Sequence, residues 1–175
     1  MALLTDAAKA YIGIESTLEW ACDPVERGAV RRYAQAIMDE DPIYQADNDT
    51  NQRYGGAVAP PLFPSHLFRR AFGTTDPIQD YAADPHFDGA QKVRGGLPEI
   101  EPLKHLAVMN GGSEIEFYRY ACHQERVKLR SRYADIVEKE SSKGPIILVY
   151  TETDYLTAND ELLMRVRHTR IRRPL

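Results

Sequence analysis

Cysteine is scarce in this chain. Cys22 and Cys122 are the only two among 175 residues. With no C-x-x-C and so few thiols, a disulfide framework is excluded. Long apolar runs are missing too. A stretch such as Ile146-Ile147-Leu148-Val149 falls far short of the roughly 20 residues that a membrane-spanning helix needs. The start, Met1-Ala2-Leu3-Leu4-Thr5-Asp6, has neither the basic residues nor the apolar stretch of a secretory signal. The expectation is a cytoplasmic protein with reduced thiols. Excess positive charge is also lacking: the formal net charge is −4, so neither nucleic acid nor an anionic membrane is an expected partner. His66, His86, His105, His123 and His168 show no metal-ligand spacing, and no metal is expected. No P-loop, G-x-S-x-G or dinucleotide fingerprint occurs, so no cofactor is implied.

What is present reads as one domain over residues 1–175. The chain is 43% apolar and 27% charged, which suits a soluble fold with a core. Residues 4–11 predict a short helix ended by Gly13, and residues 14–21 an extended edge. Asp23 and Pro24 predict the start of a helix over 24–38, with Ala29, Val30, Tyr33, Ala34, Ile37 and Met38 at helical spacing. That helix runs into Asp39-Glu40-Asp41-Pro42-Ile43-Tyr44. A helix stop and turn explains this stretch on propensity alone; a pocket corner is the functional alternative. Pro64 and Ser65 predict a second helix over about 66–73, apolar around most of its circumference and so wrapped by other structure. Residues 73–105, rich in Pro, Gly and Asp, predict a long insertion of the kind that forms lids and binding loops. Beyond it the period becomes two: residues 113–118, 126–133, 145–157 and 162–172 predict long, meandering antiparallel strands.

These residues resemble a known family. An apolar helix wrapped by a long antiparallel sheet is the hot-dog fold, of class α+β. Asp39-x-Asp41-Pro42-x-Tyr44 is similar to the D-x-N-P-x-H signature of MaoC-like dehydratases, the (R)-specific enoyl-CoA hydratases. Tyr54-Gly55-Gly56-x-Val58-Ala59-Pro60-Pro61-x-Phe63 and Asn110-Gly111-Gly112-Ser113-Glu114-Ile115-Glu116-Phe117 resemble segments of that family's N-terminal-type domain.

The resemblance implies addition of water to a 2-enoyl-CoA, or its loss from a 3-hydroxyacyl thioester. An Asp and a His handle the water, and a backbone N–H at the start of the central helix receives the thioester's developing charge. Asp39, Asp41 and Tyr44 would then mark the catalytic position. Gly55, Gly56, Val58, Ala59, Pro60 and Phe63 would shape the acyl pocket. Arg170 and Arg172 would meet coenzyme A phosphates, the thioester being substrate rather than cofactor; a solvated strand face is the plainer reading of those arginines. The departure is Tyr44. Tyrosine ionises near pH 10, so it makes a poor base where histidine makes a good one. The resemblance therefore implies a partner hot-dog subunit carrying the intact D-x-N-P-x-H. A self-sufficient homodimer using His86 or His105 is one alternative. A silent acyl-thioester-binding scaffold is the other.

Overall fold

The computed structural model describes residues 3–45, 52–68, 72–74, 82–83 and 96–174. Helix α1 (Asp6–Lys9) opens the chain, with the Thr5 side chain accepting from the Ala8 N–H, and Gly13 turns it at φ 86°. Strand β1 (Glu19–Trp20) then lies at one edge of the sheet. Both match the sequence expectation in kind.

Helix α2 spans Arg27–Ala36 and begins later than predicted. Asp23 and Pro24 do not start it, because Val25 is claimed by tertiary structure. Its N–H donates to Glu125 O at 3.0 Å and its carbonyl accepts from Gln124 at 2.9 Å. The helix ends in a Schellman arrangement: Asp39 N–H reaches Ala34 O at 2.9 Å and Met38 N–H reaches Gln35 O at 3.2 Å. The turning position is Met38, at φ 57°, where glycine is the usual occupant.

Strands β2 (Ala107–Phe117), β3 (Val127–Ser141), β4 (Gly144–Thr157) and β5 (Leu162–Arg173) build one antiparallel sheet with β1, in the order β1-β3-β4-β5-β2. All four predicted strands are present and run longer than predicted. The simple meander is corrected: β2 crosses to the far edge and pairs with β5 rather than with β3. Asn110-Gly111-Gly112 is a bulge in that pairing. Gly112 sits at φ 105° with its N–H on Asn110 Oδ1 at 2.9 Å. A Cβ on Gly111 would stand 2.8 Å from Thr169 Cγ2, so the motif marks a close crossing of β2 over β5.

Helix α3 (Phe63–His66) meets the helix predicted over 66–73 only at His66: Leu67 is a turn, Phe68 is irregular, and Phe72 and Gly73 are turn, so no helix runs through the described part of that span. Leu62 is its N-cap. Ser65 is not the cap; its hydroxyl donates to Leu62 O at 2.8 Å from inside the turn. Phe63 and Leu67 join a core cluster with Val30, Ala34, Tyr44, Val58, Val127 and Leu163, so this turn is packed between α2 and the sheet. Residues 69–71 of the predicted helix lie outside the described residues.

A second cluster fills the other end of the sheet. Leu97, Ile100, Leu103 and Leu106 pack there with Ala8, Tyr133, Ile136, Ile147 and Val149. The end of the predicted 73–105 insertion is thus core and not lid. Its apolar residues recur every third position, and a 3-10 turn at Glu101–Leu103 carries them inward. Residues 75–81 and 84–95 of the insertion lie outside the described residues.

Candidate active site

The acidic corner is built by the end of α2 and the 3-10 turn Pro42–Tyr44 that follows it. Asp41 caps this turn, Oδ1 accepting from Ile43 N–H at 3.0 Å, and Pro42 holds its first position. The turn swings Tyr44 back under Asp39. The Tyr44 hydroxyl donates to Asp39 Oδ2 at 3.2 Å, and Asp41 N–H donates to Asp39 Oδ1 at 3.3 Å. Asp41 itself is exposed and serves the turn. Tyr44 is 9% exposed. Burial foremost, then the Asp39 charge and the hydrogen bond to it, push the Tyr44 phenol well above the ordinary tyrosine range. This side chain keeps its proton and spends it on Asp39; it cannot serve as a base near neutrality.

The Gly-Gly-x-Val-Ala-Pro-Pro segment is the floor of the corner. Val58 N–H donates to Ile43 O at 3.1 Å, and Ala59 N–H donates to Ala121 O at 2.8 Å. Val58 also bridges Cys122. Val58, Ala59 and Phe63 are fully buried, as is Pro60. Gly55 (φ 71°) and Gly56 (φ 147°) face open space; positive φ, not a close approach, is what requires glycine there. Asp39, Tyr44, Val58, Ala59 and Phe63 are thereby brought together.

The start of α3 is poor in donors. Pro60, Pro61 and Pro64 have no N–H. Phe63 N–H is spent on Pro60 O at 2.8 Å and Ser65 N–H on Leu62 O at 3.1 Å. The preorganised donors that would stabilise a thioester oxyanion are mostly absent or occupied here.

The remaining candidates lie elsewhere. Arg170 is half-buried and Arg172 is 3% exposed, on the inner face of β5. Val149, which packs in the second cluster, lies across from Arg170, and Ile147, in the same cluster, lies across from Arg172. Among the described residues Arg172 Nε and Nη1 have no hydrogen-bond partner, and burial pulls its guanidinium below the usual arginine value. A solvated strand face does not describe Arg172. His105 follows the 3-10 turn of the second cluster, away from the acidic corner; His86 lies outside the described residues.

Two residues at the corner were not anticipated. Tyr120 adds to the raised phenol of Tyr44 and stacks edge-on against Tyr54, centroids 5.1 Å apart. His123 backs the floor, its N–H donating to Ala57 O at 3.2 Å. Its Nε2 is buried and has no hydrogen-bond partner among the described residues. Burial lowers its pKa, a hydrogen bond to the Val58 backbone opposes that, and Arg27 adds to the lowering. Among the described residues no aspartate contributes to that shift. No sequence spacing pointed to either residue. A groove of about 470 Å³ opens at the far end of the sheet, between Met109, the Ser141–Lys143 turn, Ile171 and Arg173; it contains none of the corner residues. Among the described residues there is no cluster of side chains able to hold a metal, and no helix is long and apolar enough to cross a membrane.

A five-stranded antiparallel sheet in this order, with its helical turns on one face, is a hot-dog fold. The chain belongs to the MaoC-like dehydratase family: the family described as FAS1-like, dehydratase domain region, matches residues 10–166. The fold is similar to that of a chain in the ChsH1-ChsH2 complex from Mycobacterium tuberculosis, with a TM-score of 0.66 and 22% identity over 94% of this chain and 85% of that one. A MaoC-like dehydratase from Rhodospirillum rubrum follows at 0.55 and 19%, with 94% of each chain covered. A chain of the HadBC (3R-hydroxyacyl-ACP dehydratase) complex from Mycobacterium tuberculosis gives 0.53 and 15%, covering 92% of this chain and 98% of that one. No curated protein matches the sequence.

Proposed function

We propose that this chain is one subunit of an enoyl-CoA hydratase or 3-hydroxyacyl-thioester dehydratase, the half that lacks the catalytic histidine. The observation that carries the reading is the Tyr44–Asp39 hydrogen bond: the position that should hold a titrating imidazole holds a phenol locked in its neutral form. In the hydration direction, water oxygen bonds to the β-carbon, a proton goes to the α-carbon, and the thioester oxygen carries transient negative charge. This chain supplies the apolar wall of Val58, Ala59, Pro60 and Phe63 and a carboxylate at Asp39. A histidine-bearing subunit performs the proton transfers and supplies the oxyanion donors. Of the two arginines considered for the coenzyme A phosphates, Arg170 is the more accessible. Cys22 and Cys122, neither of which is in a disulfide, support a cytoplasmic setting.

A docking edge supports the same reading. Among the described residues strand β2 is paired on one side only, and Ile115, Phe117 and the adjoining Tyr118 are exposed. A long open edge with apolar side chains invites another strand. The test is co-expression with a neighbouring-gene hot-dog subunit that has an intact D-x-N-P-x-H, followed by hydration of crotonyl-CoA. The pair should copurify and turn over while this chain alone does not. Turnover by the isolated chain that is lost in Asp39→Ala, or a pair that neither associates nor reacts, would refute it.

A further inference from the structure

The outer face of the sheet carries two rows of charge that alternate in sign from strand to strand. In one row Arg132 of β3 lies across from Glu152 of β4, Glu152 from Arg167 of β5, and Arg167 from Glu114 of β2. In the next, Arg130 lies across from Asp154, Asp154 from Arg165, and Arg165 from Glu116. Arg132, Arg165 and Arg167 lean toward β4, while Arg130 pairs instead with Glu15 at 3.2 Å. Arg165 forks onto Asp154 at 2.6 and 2.8 Å. Arg132 Nη2 is 2.6 Å from Glu152. Arg167 is 3.8 Å from Glu152 and covers the Tyr150 ring at 4.7 Å. Among the described residues no ion pair reaches Glu114, and Glu116 only accepts a hydrogen bond from the Tyr118 hydroxyl. Each row therefore ends, at the open edge, in an exposed carboxylate whose cross-strand arginine is paired with β4 instead.

We propose that β2 receives the edge strand of a different subunit, one that sets Lys or Arg across from Glu114 and Glu116, and that these carboxylates bar a second copy of this chain from the same edge. The proposal rests on the two-subunit reading above and names what selects the partner. Two copies joined antiparallel about Ile115 set Glu114 of one against Glu116 of the other, twice. A shift of two residues sets Glu114 on Glu114, or Glu116 on Glu116. Like charges directly across from each other destabilise a strand pair. A slip of one residue puts the charged face beside the apolar face. Larger shifts meet the bulge at Gly111 and Gly112 or run past Phe117. The apolar gain from covering Ile115 and Phe117 is open to any strand, so the charges decide which one.

The experiment pairs the chain with a charge-swapped copy of itself. Wild type and the double variant Glu114→Lys/Glu116→Lys are each sedimented alone and as an equimolar mixture, circular dichroism having shown that the variant is folded. The mixture forms a 1:1 dimer at least about tenfold tighter than either alone, and the advantage shrinks near 1 M salt, where the screening length is only about 3 Å. Glu114→Gln/Glu116→Gln self-associates more than wild type. Wild type dimerising as tightly as the mixture, or a mixture that does not associate, overturns the proposal. Suppose instead that a hydratase-active complex with a histidine-bearing subunit forms and binds Glu114→Lys/Glu116→Lys equally well. Then charge selection falls and the two-subunit reading stands. If no such complex exists, that reading falls while the mixing result stands on its own.

Discussion

Replacing Tyr44 by Phe removes one hydroxyl and leaves the ring packed against Phe63, Val58 and Leu67. What is lost is the 3.2 Å bond to Asp39 Oδ2. A hydrogen bond to a charged group contributes about 1.5–3 kcal/mol when sheltered. Asp39 is half-exposed, so solvent screening brings the expected cost to about 1 kcal/mol. For a chain of this size that lowers Tm by about 2–4 °C. The carboxylate also keeps its contact with the Asp41 N–H, which limits the penalty. A cycle with Asp39→Ala should return a coupling of the same size, because the two side chains meet directly. The pH dependence has a definite sign. The phenol's pKa is higher folded than unfolded. Its contribution is therefore fully present below about pH 10, the unfolded value, and is lost as pH rises from there toward the folded value. Urea denaturation between neutrality and alkaline pH should show wild type losing stability more steeply than Tyr44→Phe. The other tyrosines are common to both proteins and cancel. Equal stability at neutral pH with parallel alkaline limbs would mean that the phenol and Asp39 do not interact in solution.

Three further outcomes are expected. Gly111→Ala should destabilise by about 1–3 kcal/mol through overpacking, its Cβ falling 2.8 Å from Thr169 Cγ2 and 3.0 Å from Thr169 O; denaturant midpoints measure it, and Thr169→Ser should recover only part, since the carbonyl contact remains. Met38→Gly should stabilise by about 0.5 kcal/mol, because Met38 is 90% exposed and glycine relieves the positive φ at a small entropic cost. Tyr44→His should give no crotonyl-CoA hydration in the isolated chain, since Pro60, Pro61 and Pro64 still withhold donors at the start of α3; measurable turnover would contradict that.

The strands were legible because period-two patterning is local: Leu129 to Tyr133 alternates between buried and exposed in the sheet as it does in sequence, and Ser113 to Phe117 alternates in sequence although all five residues are exposed. Their order was not legible, because the pairing of β2 with β5 leaves no trace within either strand. The start of α2 was misjudged for a related reason. Asp23 and Pro24 have good capping chemistry, yet a long-range pair of backbone bonds between Val25 and residues 124–125 overrides it. In the insertion, Leu97, Ile100, Leu103 and Leu106 form a period of three that Pro98 and Pro102 disguised as loop. At the site, the Asp39–Tyr44 contact follows from five-residue spacing around a proline turn. Tyr120 and His123 reach the corner only through the Val58–Cys122 bridge, which no local pattern announces.

The corner and the open edge lack the same thing. At the corner, Asp39 is an acceptor whose nearest hydroxyl already points at it, and the backbone donors of Val58, Ala59, Phe63 and Ser65 are consumed within the chain. A reaction that builds negative charge on a thioester oxygen needs donors or cations aimed at that charge, so a surface so rich in acceptors raises the barrier unless another molecule brings them. At the edge, Glu114 and Glu116 end the alternating rows, the arginines across from them are drawn toward β4, and among the described residues no cation stands on their open side. On the proposed reading both deficits are met by one subunit. Its histidine and free N–H groups complete the corner, and its basic strand completes the edge. A subunit that supplied only the first would complete the chemistry but leave the association weak and insensitive to salt. The salt dependence of the heteromeric complex, compared between wild type and Glu114→Gln/Glu116→Gln, therefore separates the two: a steeper loss of affinity with salt in wild type is required if the edge charges take part.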